Sequence, residues 1–194
     1  MTIGKNVFAI IVVALLLIAC SRTKDAALYN DPGKPACGDT IITGSIGEPS
    51  NLIPLLSTDL PSHTVAANIY NGLVKYDKDL NIVGDLAESW EVSKDSLSII
   101  FHLRKGVRWH DGRPFTAHDV MYTYKVTVDP KTPTAYAGDF LLVKEARVID
   151  DYTFKVTYNK PFAPALISWS ASILPRHLLE GRDITTSPLL RSPV

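Results

Sequence analysis

The sequence predicts an α+β domain, on three observations. Apolar residues recur with period two over 90–103 and again over 143–158, each time around a short polar turn, as in two hairpins. Short stretches of helical character alternate with these strand pairs. No internal repeat or low-complexity tract interrupts the pattern.

A leader stands before the domain. Lys5 precedes an uninterrupted apolar run over 7–19, and Leu17, Ile18 and Ala19 lead into Cys20. At ~1.5 Å per residue the run makes a helix of roughly 20 Å, short of a hydrocarbon core of ~30 Å. The basic start and the small Ala19 predict a cleaved signal peptide over 1–19, with residues 17–20 as a lipobox and Cys20 acylated. Acyl chains there, at ~0.8 kcal/mol per buried methylene, would hold the chain on the periplasmic or cell-surface side of a bacterial membrane. An uncleaved anchor, or a plain secretory signal with an incidental cysteine, is the other reading.

Composition narrows the partners. The 194 residues hold 20 Lys+Arg and 20 Asp+Glu, and loss of the leader removes a single base. No like-charge block occurs, so nucleic acid is not an expected partner. With Cys20 acylated, Cys37 has no partner in the chain; a Cys20–Cys37 bridge is the alternative. Neither cysteine has zinc-ligand spacing.

Residues 20–38 are polar and turn-rich and read as a flexible tether, followed by a folded part over 39–194. Thr40, Ile41, Ile42 and Thr43 predict a first strand ending at Gly44, and Pro49 marks the loop after it. Ser62 is the expected helix cap, with Val65, Ile69 and Leu73 on one face and Gly72 near the helix end. A strand over 73–76 and a turn at Asp77, Lys78 and Asp79 follow. In the first hairpin, Ile99, Phe101 and Leu103 share one face and His102 and Arg104 the other. Thr116 and Asp119 form a capping arrangement for a helix to about Val128, which stops before Asp129-Pro130. The second hairpin turns at Asp150-Asp151. Short helices are expected over 163–169 and 176–180.

Catalytic chemistry finds no support. Gly44-Ser45-Ile46-Gly47 is not a G-x-S-x-G elbow, and no phosphate-binding glycine loop occurs. His102, His110 and His118 are evenly spaced, but they fall on a strand, a turn and a helix start and share no face. The sequence therefore predicts neither enzyme, metal site nor cofactor.

Several phrases, taken in order, resemble the family 5 extracellular solute-binding proteins, the peptide, nickel and opine class that serve ABC importers. They are Gly47-Glu48-Pro49-Ser50-Asn51-Leu52, Asn71-Gly72-Leu73-Val74-Lys75-Tyr76-Asp77 and Asp85-Leu86-Ala87-Glu88-Ser89-Trp90-Glu91. Phe101-His102-Leu103-Arg104-Lys105-Gly106-Val107, Trp109-His110-Asp111-Gly112, Pro114-Phe115-Thr116-Ala117, Asp129-Pro130-Lys131-Thr132 and Leu174-Pro175-Arg176-His177-Leu178-Leu179 continue the series. One departure is Asp95-Ser96, where the family often has glycine.

The resemblance implies a two-lobed periplasmic-binding-protein fold, type II and cluster C-like. This chain would hold its N-terminal part, with the C-terminal side truncated and the second lobe absent. It also implies capture of a small peptide or other small solute and delivery to ABC permease subunits, with no cofactor. The implied cleft candidates are Glu48, Pro49, Ser50 and Asn51, with Ser57 and Thr58 nearby and Tyr122 as an aromatic wall. The competing expectation is a truncated, non-transporting lipoprotein that serves as an interaction module or has no function.

Overall fold

A computed structural model describes residues 44–192. The signal peptide, Cys20, the tether, Cys37 and residues 40–43 of the first predicted strand lie outside the described residues. Among the described residues no helix is long and apolar enough to cross a membrane.

The first helix, α1, is Leu60–Ala66. Its cap is Asp59, not Ser62: the Asp59 carboxylate accepts from the Ser62 N–H at 2.9 Å, and Ser62 lies buried within the first turn. The helix is also shorter than the spacing of Val65, Ile69 and Leu73 implies. Val65 is exposed, and Ala66 and Tyr70 face inward instead. The reason lies downstream, where residues 71–73 make extended contacts with a distant segment. Leu73 N–H donates to Trp169 O at 2.8 Å, and Ile173 N–H donates to Asn71 O at 2.9 Å. Gly72 makes this approach possible, because a Cβ there would sit 2.4 Å from Ser170 O.

Strands β1 (Val74–Tyr76) and β2 (Ile82–Gly84) form a two-stranded antiparallel sheet. The Asp77 carboxylate organises its turn, accepting from the N–H groups of Asp79 and Asn81. Strand β2 had no signal in the sequence beyond its neighbours.

The main sheet holds both predicted hairpins. Strands β3 (Ala87–Val92), β4 (Ser98–Leu103), β5 (Val143–Asp150) and β6 (Thr153–Tyr158) lie in the order β3-β4-β6-β5, all antiparallel. Phe101 pairs with Phe154, and Ile99 with Val156. Ile99, Phe101, Leu103, Phe154, Val156 and Tyr158 are all buried on one face, as the alternation predicts.

That face packs against helix α2, Ala117–Val128, which has the predicted bounds. Trp169 is the hub of this core. Its ring lies 5.1 Å from those of Phe140 and Phe154 and 5.8 Å from Phe101, and its indole N–H donates to Tyr158 Oη at 2.9 Å. The helix expected over 163–169 is instead two 3-10 turns, Ala163–Ala165 and Ile167–Ser170. Their bonds span three residues, Ala165 N–H to Phe162 O and Trp169 N–H to Leu166 O, so the segment turns tightly at the core's edge.

A second apolar cluster joins the chain's two flanks. Ile53, Leu55, Ala66 and Tyr70 pack with Leu174, Leu179, Ile184 and Leu189, around the short helix α3, Arg176–Leu179. Leu52 N–H donates to Leu190 O at 2.8 Å and closes this layer.

Candidate functional site

The loop over 47–51 is built on a knot of hydroxyls around Asp59. Ser62 Oγ donates to the Asp59 carboxylate at 2.8 Å and accepts from the Ser50 N–H at 2.9 Å. Ser50 Oγ donates to the same carboxylate. These bonds, Ser50's side chain first and the Ser62 backbone and side chain next, hold the Asp59 carboxyl down at about 2. Asn51 Oδ1 accepts from the Ile53 N–H at 3.2 Å, which is turn chemistry.

The cleft candidates therefore divide. Ser50 and Asn51 are brought together, but their side chains organise the loop. Glu48 is exposed and makes no hydrogen bond or ion pair among the described residues, and Pro49 beside it is half-buried. Thr58 is exposed, whereas Ser57 is buried with its hydroxyl donating to Pro54 O. Tyr122 does not join them. It lines a separate concavity of about 460 Å³ with Val126, Lys131 and Arg182, and burial together with nearby Glu180 pushes its phenol up to about 12.

A cavity of about 220 Å³ lies beside Ser57, lined by Pro54, Leu55, His63, Thr123, Tyr136 and Ser172 among others. Its lining comes from five parts of the chain: the loop before α1, α1 itself, α2, the connection from α2 to β5 and the segment before α3. The Thr123 hydroxyl is already engaged, donating to Asp119 O and accepting from the Leu174 N–H, both at 2.9 Å. His63 Nε2 lies 2.9 Å from Tyr136 Oη and 3.1 Å from Ser57 O. Among the described residues, no carboxylate, lysine or arginine lines this space. It offers apolar surface, a phenol and an imidazole, which suits an uncharged group.

Sequence reasoning missed His63 and Tyr136. They stand 73 residues apart, and neither belongs to a periodic run. The phrases that carry the resemblance leave a gap between Thr132 and Leu174, and Tyr136 falls within it.

Residues 81–192, more than half of the chain, match the family model of bacterial extracellular solute-binding proteins, family 5 Middle. The chain belongs to that family. It is 33% identical over 174 residues to the oligopeptide-binding protein AppA of Bacillus subtilis (strain 168), covering 88% of this chain and 32% of that protein. Among solved structures, NikZ from Campylobacter jejuni in complex with Ni(L-His) superposes with a TM-score of 0.70 at 32% identity, over 76% of this chain and 29% of that one. The binding protein DppA from Helicobacter pylori, in complex with the peptide STSA, gives 0.60 at 32% identity, over 67% of this chain and 30% of that one.

The α+β reading and the family 5 assignment thus agree with the fold. The chain spans about a third of the length of the curated relatives it matches. AppA is named as an oligopeptide-binding protein, and the NikZ and DppA structures superpose on this fold over the matched region.

Proposed function

We propose that this family 5 chain is the N-terminal part of a substrate-binding lipoprotein of an ABC importer, serving peptide uptake rather than catalysis. Anchoring at Cys20 would keep it near permease subunits on the outer side of a membrane. The observation that carries the peptide reading is the uncharged cavity beside Ser57, formed by Leu55, His63 and Tyr136. An extended peptide presents neutral backbone groups and side chains to such a wall, and closure of a second lobe would exchange water for protein contacts. Relatives named for oligopeptides, and one solved with a bound tetrapeptide, support the same class of solute.

The test is a titration of the full chain with the tetrapeptide Ser-Thr-Ser-Ala, followed by NMR at backbone amides. One lobe supplies part of the contacts, so the expected result is shifts confined to the residues around Leu55, His63 and Tyr136, saturating only at millimolar peptide. Absence of shifts at millimolar peptide would refute the cavity as a peptide wall. Micromolar affinity from this chain alone would refute the need for a second lobe.

A further inference from the structure

The geometry points to His63 as a positioning residue that holds Tyr136 in place as a wall of this cavity. The inference rests on the peptide-binding reading above for its purpose, though not for its geometry.

The two residues differ in how firmly the fold holds them. His63 sits in α1, with its own N–H bonded to Asp59 O at 3.2 Å, in a helix capped by the Asp59 knot. Tyr136 lies in the connection between α2 and β5, where its N–H finds only the Thr134 hydroxyl, at 3.2 Å. Its carbonyl accepts from the Asp139 N–H at 3.2 Å at the start of a 3-10 turn, Ala137–Phe140, so the backbone is placed there and the direction of the phenol is left to its side-chain contacts. Its ring stands edge-on to the His63 imidazole, with centroids 6.1 Å apart and planes at 89°.

Three polar atoms meet at this point. His63 Nε2 lies 2.9 Å from Tyr136 Oη and 3.1 Å from Ser57 O, and Tyr136 Oη lies 3.4 Å from Ser57 O. A carbonyl oxygen can only accept, so the ring nitrogen facing it carries the hydrogen. His63 is therefore the Nε2–H tautomer, donating into the angle between Ser57 O and the phenol oxygen. The phenol hydrogen is left with a long contact to Ser57 O. That bond to Ser57 O is the longest of the three, so the phenol hydrogen is the most weakly held donor at this point, beside a histidine that itself presents no acceptor there.

This arrangement makes the conservative replacement predictable. A glutamine at 63 can place an amide N–H near the position of Nε2–H, whereas leucine keeps the bulk and loses the donor.

The experiment reads the full chain with ¹⁵N-labelled histidine and ¹³C-labelled tyrosine, as wild type, His63→Gln and His63→Leu. The expected wild-type spectrum shows His63 protonated at Nε2 and not at Nδ1 in its neutral form; the Nδ1–H tautomer would overturn the inference without any variant. Tyr136 ring signals are expected to keep their shifts in His63→Gln and to collapse toward averaged values in His63→Leu. Half-saturation by Ser-Thr-Ser-Ala is expected to rise at least tenfold in His63→Leu and less than threefold in His63→Gln. Unchanged Tyr136 shifts in a folded His63→Leu protein would also overturn the inference. If wild type takes up no peptide while Tyr136 still depends on His63, the binding reading falls and the positioning role stands. Where wild type does bind, equal peptide binding by wild type and a folded His63→Leu protein refutes the positioning of Tyr136 as a wall of the cavity and leaves the binding reading intact.

Discussion

Asp119 accepts a hydrogen bond from the backbone N–H of Arg176, 57 residues further along the chain, at 3.1 Å. The other oxygen of the same carboxylate accepts from the Thr116 N–H at 2.9 Å and closes the capping box of α2. One buried side chain therefore starts α2 and positions the start of α3 beside it.

Asp119→Ala removes both bonds and leaves the Arg176 N–H without its acceptor. Loss of a cap and an unsatisfied backbone donor together should destabilise the fold by about 2–3 kcal/mol. Urea unfolding at neutral pH checks this. Asp119→Asn keeps an acceptor oxygen and should lie between wild type and the alanine variant. An alanine variant within about 0.5 kcal/mol of wild type, the range of ordinary surface changes, would show that the link between α2 and α3 is not a stabilising one.

Gly72→Ala probes the crossing of residues 71–73 and 169–173. The added methyl would lie 2.4 Å from a backbone oxygen, which a rotamer change cannot relieve. Overpacking of this kind should cost about 2–3 kcal/mol or more. Gly138→Ala is the matched control, since nothing lies within 4 Å of a Cβ there. Thermal melts of the two variants should separate clearly, and equal melting temperatures would refute the close approach.

Much of the fold was legible because its signals are local. The alternation of Ile99, Phe101 and Leu103 fixed the buried face of β4, and Thr116 with Asp119 fixed the start of α2. Ser96 was marked as a departure from a glycine, and it does take a positive φ of 57°. Features made by distant partners were not legible. Periodicity extended α1 past Ala66, because nothing local shows that the backbone of residues 71–73 bonds instead to the Trp169 segment. The candidate site divides the same way: Ser50 and Asn51 are named by the resemblance that the 47–52 phrase carries, whereas the His63–Tyr136 contact leaves no mark on either neighbourhood. The place of Tyr122 on α2 suggests an aromatic wall, but it lines the concavity with Lys131 and Arg182 and not the one beside Ser57.

Cys20→Ser tests the proposed anchor. Acylation supplies membrane affinity through buried methylenes, and the rest of the chain carries no basic block to replace it. In bacteria expressing the full chain, wild type should sediment with membranes and incorporate labelled palmitate. The serine variant should lose the label. Palmitate labelling that survives in Cys20→Ser would refute Cys20 as the acylated residue.

Acid should loosen the loop before α1 through Asp59. Its carboxyl is held at about 2, against an ordinary 3.8, by bonds from Ser50 and Ser62 that need the ionised form. A depressed folded pKa means that the stabilisation is complete above the unfolded value and is lost as pH falls through the folded one. The window is therefore pH 4 down to about 2. Other surface carboxyls, Asp77 and Asp183 among them, are also held low by turn bonds, so wild type should lose stability more steeply than Asp59 alone would cause. Asp59→Asn isolates this residue's share, because asparagine keeps an acceptor and has no proton to gain. Melting temperatures recorded from pH 6 to pH 2 should show the variant below wild type at pH 6 and the gap narrowing toward pH 2. A gap that stays constant across the range would mean that the ionised Asp59 carboxylate gives the folded loop no preference over the unfolded chain.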